Sequence, residues 1–498
     1  MRSPSLFSLL SRMPISNLRS MPIPQLCPTA IVTDAAQMVP GAVFVCISGS
    51  SGDSHTQISA ACKAGACAVI LENDAYCAAC GTTPHVLVQD SREALSYMLF
   101  AQYGNPCDSL CVIGITGTNG KTSVAFYLTQ LLRRCGIKCA LFSTVYCDID
   151  GVITPATHTT PPPDALASQF AACQRAGVTH VVMEVSSHAL DQKRTAAIPF
   201  HLGIFTNLTE DHLDYHGGMD AYFKAKSRLF AQCEIGLFNA DDPHSLRLIQ
   251  TPGCCQKQYF YSVASAQADF YASVSDRERM EYELHTPSGN TVRVVMPTIG
   301  TFTQYNTLAA FSAASLLGLS EDRLALAAAA LHAPAGRMEQ IKCALPFPVY
   351  IDYAHTPDAL EKALRALHEA YPGTPLHLLF GCGGNREKEK RPQMGKIAST
   401  LADYTVITSD NSRSESPGAI ISDILTGFDR SAPHRIILDR GTAIRHILSC
   451  ASAPCVILLA GKGHEDYEID RTGRHPFSEK EQIAAFTQYR SDVMRRIR

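Results

Sequence analysis

The sequence predicts an α/β protein of three domains, the middle one a doubly wound, mostly parallel sheet built around a phosphate loop. Three observations predict it. The chain has 498 residues, room for about three domains of ordinary size. Strand-like apolar runs alternate with helical patterns along most of it, as βαβ units require. Between one such strand and the helix after it lies GITGTNGKT, residues 114–122, where glycines let the backbone wrap round an anion at a helix N-terminus.

The first domain is expected over residues 1–107. GAVFVCI (41–47) reads as a strand, residues 58–65 as an alanine-rich helix and CAVIL (67–71) as a second strand, which makes a small α/β unit closed by Asn105-Pro106. The central domain, 108–333, opens with LCVIGITG and the helix SVAFYLTQLLRRCG. It continues through the strands THVVMEV (179–185) and HLGIFTN (201–207). Polar, strand-forming sequence from about 255 to 297 predicts an antiparallel flap, and alanine-rich residues 307–332 a helical stretch that closes the domain. The third domain, 334–498, shows strands at FPVYIDYA, LHLLFGC, YTVITSD and CVILLAG between helical patterns, a Rossmann-like open sheet.

Composition narrows the class. Hydrophobic residues make up 46% and charged residues 18%, a globular balance in which each domain can bury a core. A formal net charge of −3 gives no electrostatic reason for a nucleic-acid or membrane partner. Nineteen cysteines, scattered and often inside apolar runs, suit a reducing compartment better than a disulfide scaffold. Cys77 and Cys80 form one CxxC without a second pair or a histidine nearby. No cleavable leader and no apolar run of bilayer length is readable, so a cytoplasmic protein is expected.

The chemistry begins at the loop. Lys121 is placed to reach the β- and γ-phosphates and Thr122 to offer a hydroxyl to Mg²⁺. The strict GxxxxGK[ST] pattern needs a glycine at 115, where this chain has isoleucine; its glycines fall at 114, 117 and 120. Two clusters add to it. Glu184, Ser186 and His188 end one strand, where doubly wound sheets place ligand groups, and Asp211, His212, Asp214 and His216 follow the next. Carboxylate and imidazole beside a triphosphate form a plausible set for a divalent cation.

GITGTNGKT, MEVSSHAL, TNLTEDHLDYH, AYFKAKSRLF and NADD resemble the central domain of the Mur ligases of peptidoglycan synthesis. IDYAHTPDAL (351–360), GCGGNREKEKRPQMG (381–395), DNSRSESP (410–417) and AGKGHEDY (460–467) extend the resemblance over nearly the whole chain. They place it with the branch that adds the third, diamino residue of the stem peptide. The resemblance implies an ATP-dependent acid–amino-acid ligase; a P-loop switch or nucleotide-dependent binding module would leave the third domain's charged motifs without a use. Folylpolyglutamate synthase, the nearer rival, lacks the N-terminal domain and the DNSR and GKGHED motifs.

By the same resemblance ATP would be held by Gly114, Thr116, Gly117, Thr118, Asn119, Gly120, Lys121 and Thr122, with Asn306, Arg337, Asp352, Tyr353 and His355 on the nucleotide side. Glu184 and His212 would bind Mg²⁺ with Thr122. Lys226, ending the run Tyr222-Phe223-Lys224-Ala225-Lys226, matches the lysine this family carbamylates, an anion able to serve a second metal. Lys121, Glu184, His212 and Lys226 are thus the expected catalytic set. The N-terminal domain would hold the uridine nucleotide, and Thr159, Thr160, Ser186, Gln192 and Arg194 would face the UDP-muramoyl dipeptide. Arg386, Asp410, Asn411, Arg413, Gly461 and Glu465 would face the incoming diamino acid. A monomer is expected.

Two positions depart from the family's pattern. The usual Asp-Ser-Arg of the uridine site reads Asp34-Ala35-Ala36, and Asp-Asn-Pro-Arg reads Asp410-Asn411-Ser412-Arg413. An arginine fork suits the distal carboxylate of meso-diaminopimelate, whereas lysine or ornithine would bring an ammonium towards a like charge. Diaminopimelate is therefore the expected acceptor, with ornithine or lysine the alternative.

Overall fold

In the computed structural model, which describes residues 4–19, 23–49, 52–276 and 280–497 (side chains to 491), LCVIGITG forms the strand Cys111–Thr116 in the middle of an eleven-stranded sheet. Val112, Ile113 and Ile115 are fully buried, as a strand covered on both faces requires. The strand pairs in parallel with His180–Glu184 on one side and Phe200–Phe205 on the other. From it the chain builds outward through Cys139–Phe142, then reverses and builds through Cys233–Asn239 and Lys257–Ser262. Such a reversal opens a crevice at the carboxyl ends of the central strands.

Helix Lys121–Arg134 lies against helix Thr301–Leu316, where buried Ala309, Ala310, Ala313 and Ala314 let two backbones approach closely. The alanine-rich stretch is in fact two helices, this one and Glu321–Ala328. The flap expected at 255–297 needs correction. Lys257–Ser262 extends the parallel part of the main sheet, and only Phe270–Asp276, Glu281–His285 and Thr291–Val295 form an antiparallel meander on its edge. The other edge carries a hairpin, Tyr146–Ile149 with Val152–Pro155, that sequence patterning did not separate from its surroundings.

Ahead of this sheet, Ile31–Val32, Val43–Val45, Ala68–Leu71 and His85–Leu87 make a four-stranded parallel sheet. Beyond it a six-stranded sheet runs in the order Glu339–Gln340, Val349–Asp352, Val456–Ala460, Leu376–Phe380, Tyr404–Ile407, His434–Ile436, parallel except for the first strand. Its short outer strands and the hairpin Tyr467–Asp470 with Gly473–Pro476 were not read from the sequence. Among the described residues no helix is long and apolar enough to cross a membrane.

One buried ion pair ties the strand ends of this third sheet together. Arg440 and Glu479 are both out of solvent; the guanidinium donates to Glu479 at 2.9 Å, to the Ser409 carbonyl at 3.0 Å and to the Ala460 carbonyl at 2.7 Å. Those two carbonyls immediately precede Asp410 and Gly461. Replacing Arg440 by alanine would strand a buried carboxylate and two carbonyls, and should lower stability by about 3–5 kcal/mol in urea unfolding.

Candidate active site

The loop after Cys111–Thr116 is shaped by two close approaches. Gly117 has φ +152°, and a Cβ there would lie 1.9 Å from Thr206 Oγ1; at Gly120, φ +88°, it would lie 2.5 Å from Asn306 Oδ1. Asn207 Oδ1 accepts the Asn119 N–H at 2.9 Å, and Thr206 Oγ1 donates to the Asn119 carbonyl at 2.6 Å. Gly114 and Thr116 play a different part from the one expected. Both sit within the buried strand, and a Cβ on Gly114 would meet the Phe200 ring at 2.8 Å. Gly114 is a packing glycine of the strand, and the turn of the motif begins at Gly117.

Lys121 Nζ donates to the Gly117 and Thr118 carbonyls, and Lys226 Nζ donates to the same Gly117 carbonyl, each at 2.8 Å. Burial pushes the Lys226 amine well below its ordinary range, and the neighbouring Lys121 pushes it further. Burial lowers Lys121 too, with Glu184 opposing. Both effects favour the uncharged form of the Lys226 amine, which is the nucleophilic one.

Glu184 is fully buried at the end of its strand. Its carboxylate accepts the Thr122 hydroxyl at 3.0 Å, the Thr144 N–H at 2.8 Å and the Thr144 hydroxyl at 3.1 Å. Thr144 has no sequence signature and was missed; it lies just beyond the carboxyl end of Cys139–Phe142. His212 occupies the left-handed region at φ +55°, its ring edge-on to His188 at 4.8 Å. Burial lowers its pKa to about 4, so its lone pair is free at neutral pH. His216 instead bonds the Ser187 hydroxyl at 3.0 Å and lies outside the cavity.

A cavity of about 410 Å³ joins these groups to the third sheet. Thr118 to Thr122, Thr159, Glu184 and His212 line it from the central unit, and Arg337, Tyr353, His355, Arg386, Asp410, Asn411, Arg413, Gly461 and Glu465 from the third. A second cavity of about 460 Å³ shares Asn119, Gly120 and Arg337 with the first and continues past Phe302, Tyr305, Asn306 and Asp352. Its lining includes the aromatic rings of Tyr261, Phe302 and Tyr305. Asp241 there, in the NADD motif, accepts the Tyr305 hydroxyl at 2.9 Å.

Thr160, Ser186, Gln192 and Arg194 form one network beside Glu184. The Thr160 hydroxyl donates to the Glu184 carbonyl at 2.9 Å, and Arg194 donates to the Thr160 carbonyl at 2.8 Å and to Gln192 at 2.7 Å. On the third sheet Lys462, also missed, is fully buried and donates to Asn411 at 3.0 Å and Asp410 at 3.3 Å. Asn411 in turn donates to Glu465 at 2.7 Å. Arg413 donates to the Gly384 carbonyl at 2.8 Å; burial lowers its pKa, and nearby Arg386 lowers it further. In the N-terminal sheet Asp34 caps the turn Ala35–Gln37 by accepting the Ala36 N–H at 3.0 Å.

The fold and the cleft between its two larger sheets are those of a nucleotide-dependent ligase. Residues 115–314 match the Mur ligase middle domain, and residues 336–463 match the Mur ligase glutamate ligase domain. The chain belongs to the Mur ligase family. It is 38% identical over 462 residues (91% of this chain, 93% of the relative) to a UDP-N-acetylmuramoyl-L-alanyl-D-glutamate--2,6-diaminopimelate ligase of Parabacteroides distasonis. It is 39% identical over 480 residues (92% and 96%) to the enzyme of the same name from Ectopseudomonas mendocina. A solved structure of a ligase of that name superposes with a TM-score of 0.69 at 28% identity, covering 98% of this chain and 99% of that one.

The two glycines of the motif should separate in their effects. Gly117→Ala should weaken binding of an ATP analogue about tenfold or more, ~1.4 kcal/mol, because the loop must move off Thr206. Gly114→Ala should cost about 1–3 kcal/mol of stability by overpacking against Phe200, with less effect on nucleotide affinity in titration calorimetry.

Proposed function

We propose that the chain joins 2,6-diaminopimelate to UDP-N-acetylmuramoyl-L-alanyl-D-glutamate with hydrolysis of ATP to ADP and phosphate, in cytoplasmic peptidoglycan precursor synthesis. The observation that carries the choice of acceptor is the pair Arg386 and Arg413. Both line one cavity, and burial followed by the charge of Arg386 lowers the Arg413 pKa, so an anion beside Arg413 is favoured. Glu465 stands in the same cavity and can receive the distal ammonium. An acceptor with both a carboxylate and an ammonium at its far end satisfies all three.

The reaction runs between the two sides. ATP lies with its nucleoside in the second cavity and its phosphates along residues 117–122. Lys121 and the loop amides neutralise the phosphate oxygens. The N-terminal unit, residues 1–107, holds the uridine nucleotide, and Arg194 with Thr159, Thr160, Ser186 and Gln192 presents the D-glutamyl γ-carboxylate. That carboxylate attacks the γ-phosphorus, giving an acyl phosphate and ADP. The free amine of the acceptor, held in the third unit (334–498), then attacks the acyl carbon, loses a proton and expels phosphate, leaving the new amide. The work is that of a single chain.

Mg²⁺ fits the residues present. A fully buried carboxylate held by neutral donors, opposite an unprotonated imidazole, suits a hard cation that takes its other oxygens from phosphate and water. Thr122, Glu184 and His212 would hold it, and when bound it screens the charge that builds between carboxylate and phosphate. Lys226 as a carbamate would serve a second such ion; a neutral buried amine is the form that adds CO2.

An amino-acid panel with the UDP-muramoyl dipeptide, ATP and Mg²⁺ tests the reading, scored by ADP release that depends on both substrates. Diaminopimelate should turn over fastest; ornithine or lysine outperforming it would refute the acceptor assignment. Arg413→Ala should raise the KM for diaminopimelate about 10–100-fold, the value of one charge-assisted contact, and leave the KM for ATP nearly unchanged. Rigorous removal of dissolved CO2 should slow the enzyme and bicarbonate restore it. Lys226→Arg, which is permanently charged, should be slow with or without bicarbonate.

A further inference from the structure

The turn carrying His212 lacks the cap that such turns ordinarily have. His212 holds φ +55° and ψ 28° and precedes the short helix Leu213–His216. At that position a Ser, Thr, Asp or Asn side chain usually accepts the first free amides. The imidazole lines the cavity instead, and no side chain of the turn caps the helix. Downstream the turn is closed by its own backbone, with the His216 N–H donating to the His212 carbonyl at 3.1 Å and the Gly217 N–H to the Leu213 carbonyl at 2.8 Å. The amides of Leu213 and Asp214 are left over.

Both are taken from across the cleft. Glu387 Oε1 accepts the Leu213 N–H at 2.8 Å and the Asp214 N–H at 3.3 Å. Glu387 belongs to the segment between strand Leu376–Phe380 and helix Lys390–Leu401, next to Arg386 on the acceptor wall. We propose that Glu387 is a positioning residue: it supplies the missing cap in trans, and so holds His212 towards the phosphate loop only when the acceptor wall is docked. The proposal rests on His212 serving the reaction centre. It makes the histidine's placement depend on the same segment that receives the amine, so an open cleft carries a loosened His212 turn.

Amide hydrogen exchange at Leu213 and Asp214, read on the full chain without substrates, tests the hold directly. Glu387→Ala should exchange these two amides faster, whereas Glu387→Gln, which keeps an acceptor oxygen, should stay near the parent protein. Asp358→Ala is the control. It removes a second hydrogen bond across the cleft, from Asn119 Nδ2 to Asp358 at 2.8 Å, without touching the His212 turn, and should leave Leu213 and Asp214 protected. In ligase assays Glu387→Ala should lose kcat about 10–100-fold, the usual cost of removing a group that orients a ligand-binding side chain, with Glu387→Gln restoring most of it. Unchanged protection in Glu387→Ala, or deprotection in Glu387→Gln equal to that in Glu387→Ala, would overturn the proposal. Because protection is read without turnover, a chain that exchanges as expected but makes no amide would sink the ligase reading alone.

Discussion

Two lysine amines share one carbonyl oxygen, that of Gly117, and the chemistry of the cleft depends on that meeting. Two ammonium groups 2.8 Å from one oxygen would repel strongly in a site closed to water. Burial eases the conflict: it lowers the Lys226 pKa well below the usual range, while Glu184 opposes the lowering at Lys121. Only a glycine permits the meeting: at φ +152°, packed on Thr206, residue 117 has no space for a side chain and keeps its carbonyl turned inward. The topological reversal beside Cys111–Thr116 brings Thr206 to that spot. Sheet order, glycine placement and lysine charge are therefore one constraint.

The opposite wall of the cleft is organised by another device, a lysine sealed from solvent among oxygen partners. Lys462 gathers Asp410, Asn411 and the Tyr467 carbonyl, the last at 2.8 Å. Asn411 is then polarised as a donor to Glu465, and Lys462 with Arg440 holds the buried Asp410 carboxyl below its usual range despite the cost of burial. Arg440 fixes the two strand ends from beneath. Every acidic group on this wall is thus tied down before a substrate arrives, while Arg386 and Arg413 are left mutually repelling.

Much of this was legible in the chain. Residues 117–122, Glu184 and His212 announce themselves because phosphate and metal chemistry demand particular residue types at strand ends, and the four motifs of the last third place the acceptor wall. What escaped is what has no local pattern. Thr144 holds Glu184 through contacts set by sheet order, and Glu387 reaches a turn 174 residues away. Gly114 was misread because a glycine that wraps a phosphate and one that makes room for Phe200 look alike in a string. The edge meander was misjudged since Lys257–Ser262 is polar enough to resemble its antiparallel neighbours, although it pairs in parallel with Cys233–Asn239.

The serine at 412 shows how a loop can lose a rigid residue and keep its shape. A proline there would restrict its own φ and bias the residue before it. In this chain the loop is held by hydrogen bonds instead. The Gly384 N–H donates to the Asn411 carbonyl at 2.9 Å, the Arg413 N–H to the Ile469 carbonyl at 3.0 Å, and the Glu415 N–H to the Ser412 carbonyl at 3.0 Å. Gly384 is packed so tightly on that carbonyl that a Cβ would lie 1.9 Å from it. Arg413, at φ +52°, is therefore positioned by the hairpin after Glu465 as much as by its own neighbours. The guanidinium keeps its aim because three separate segments agree on where its backbone lies.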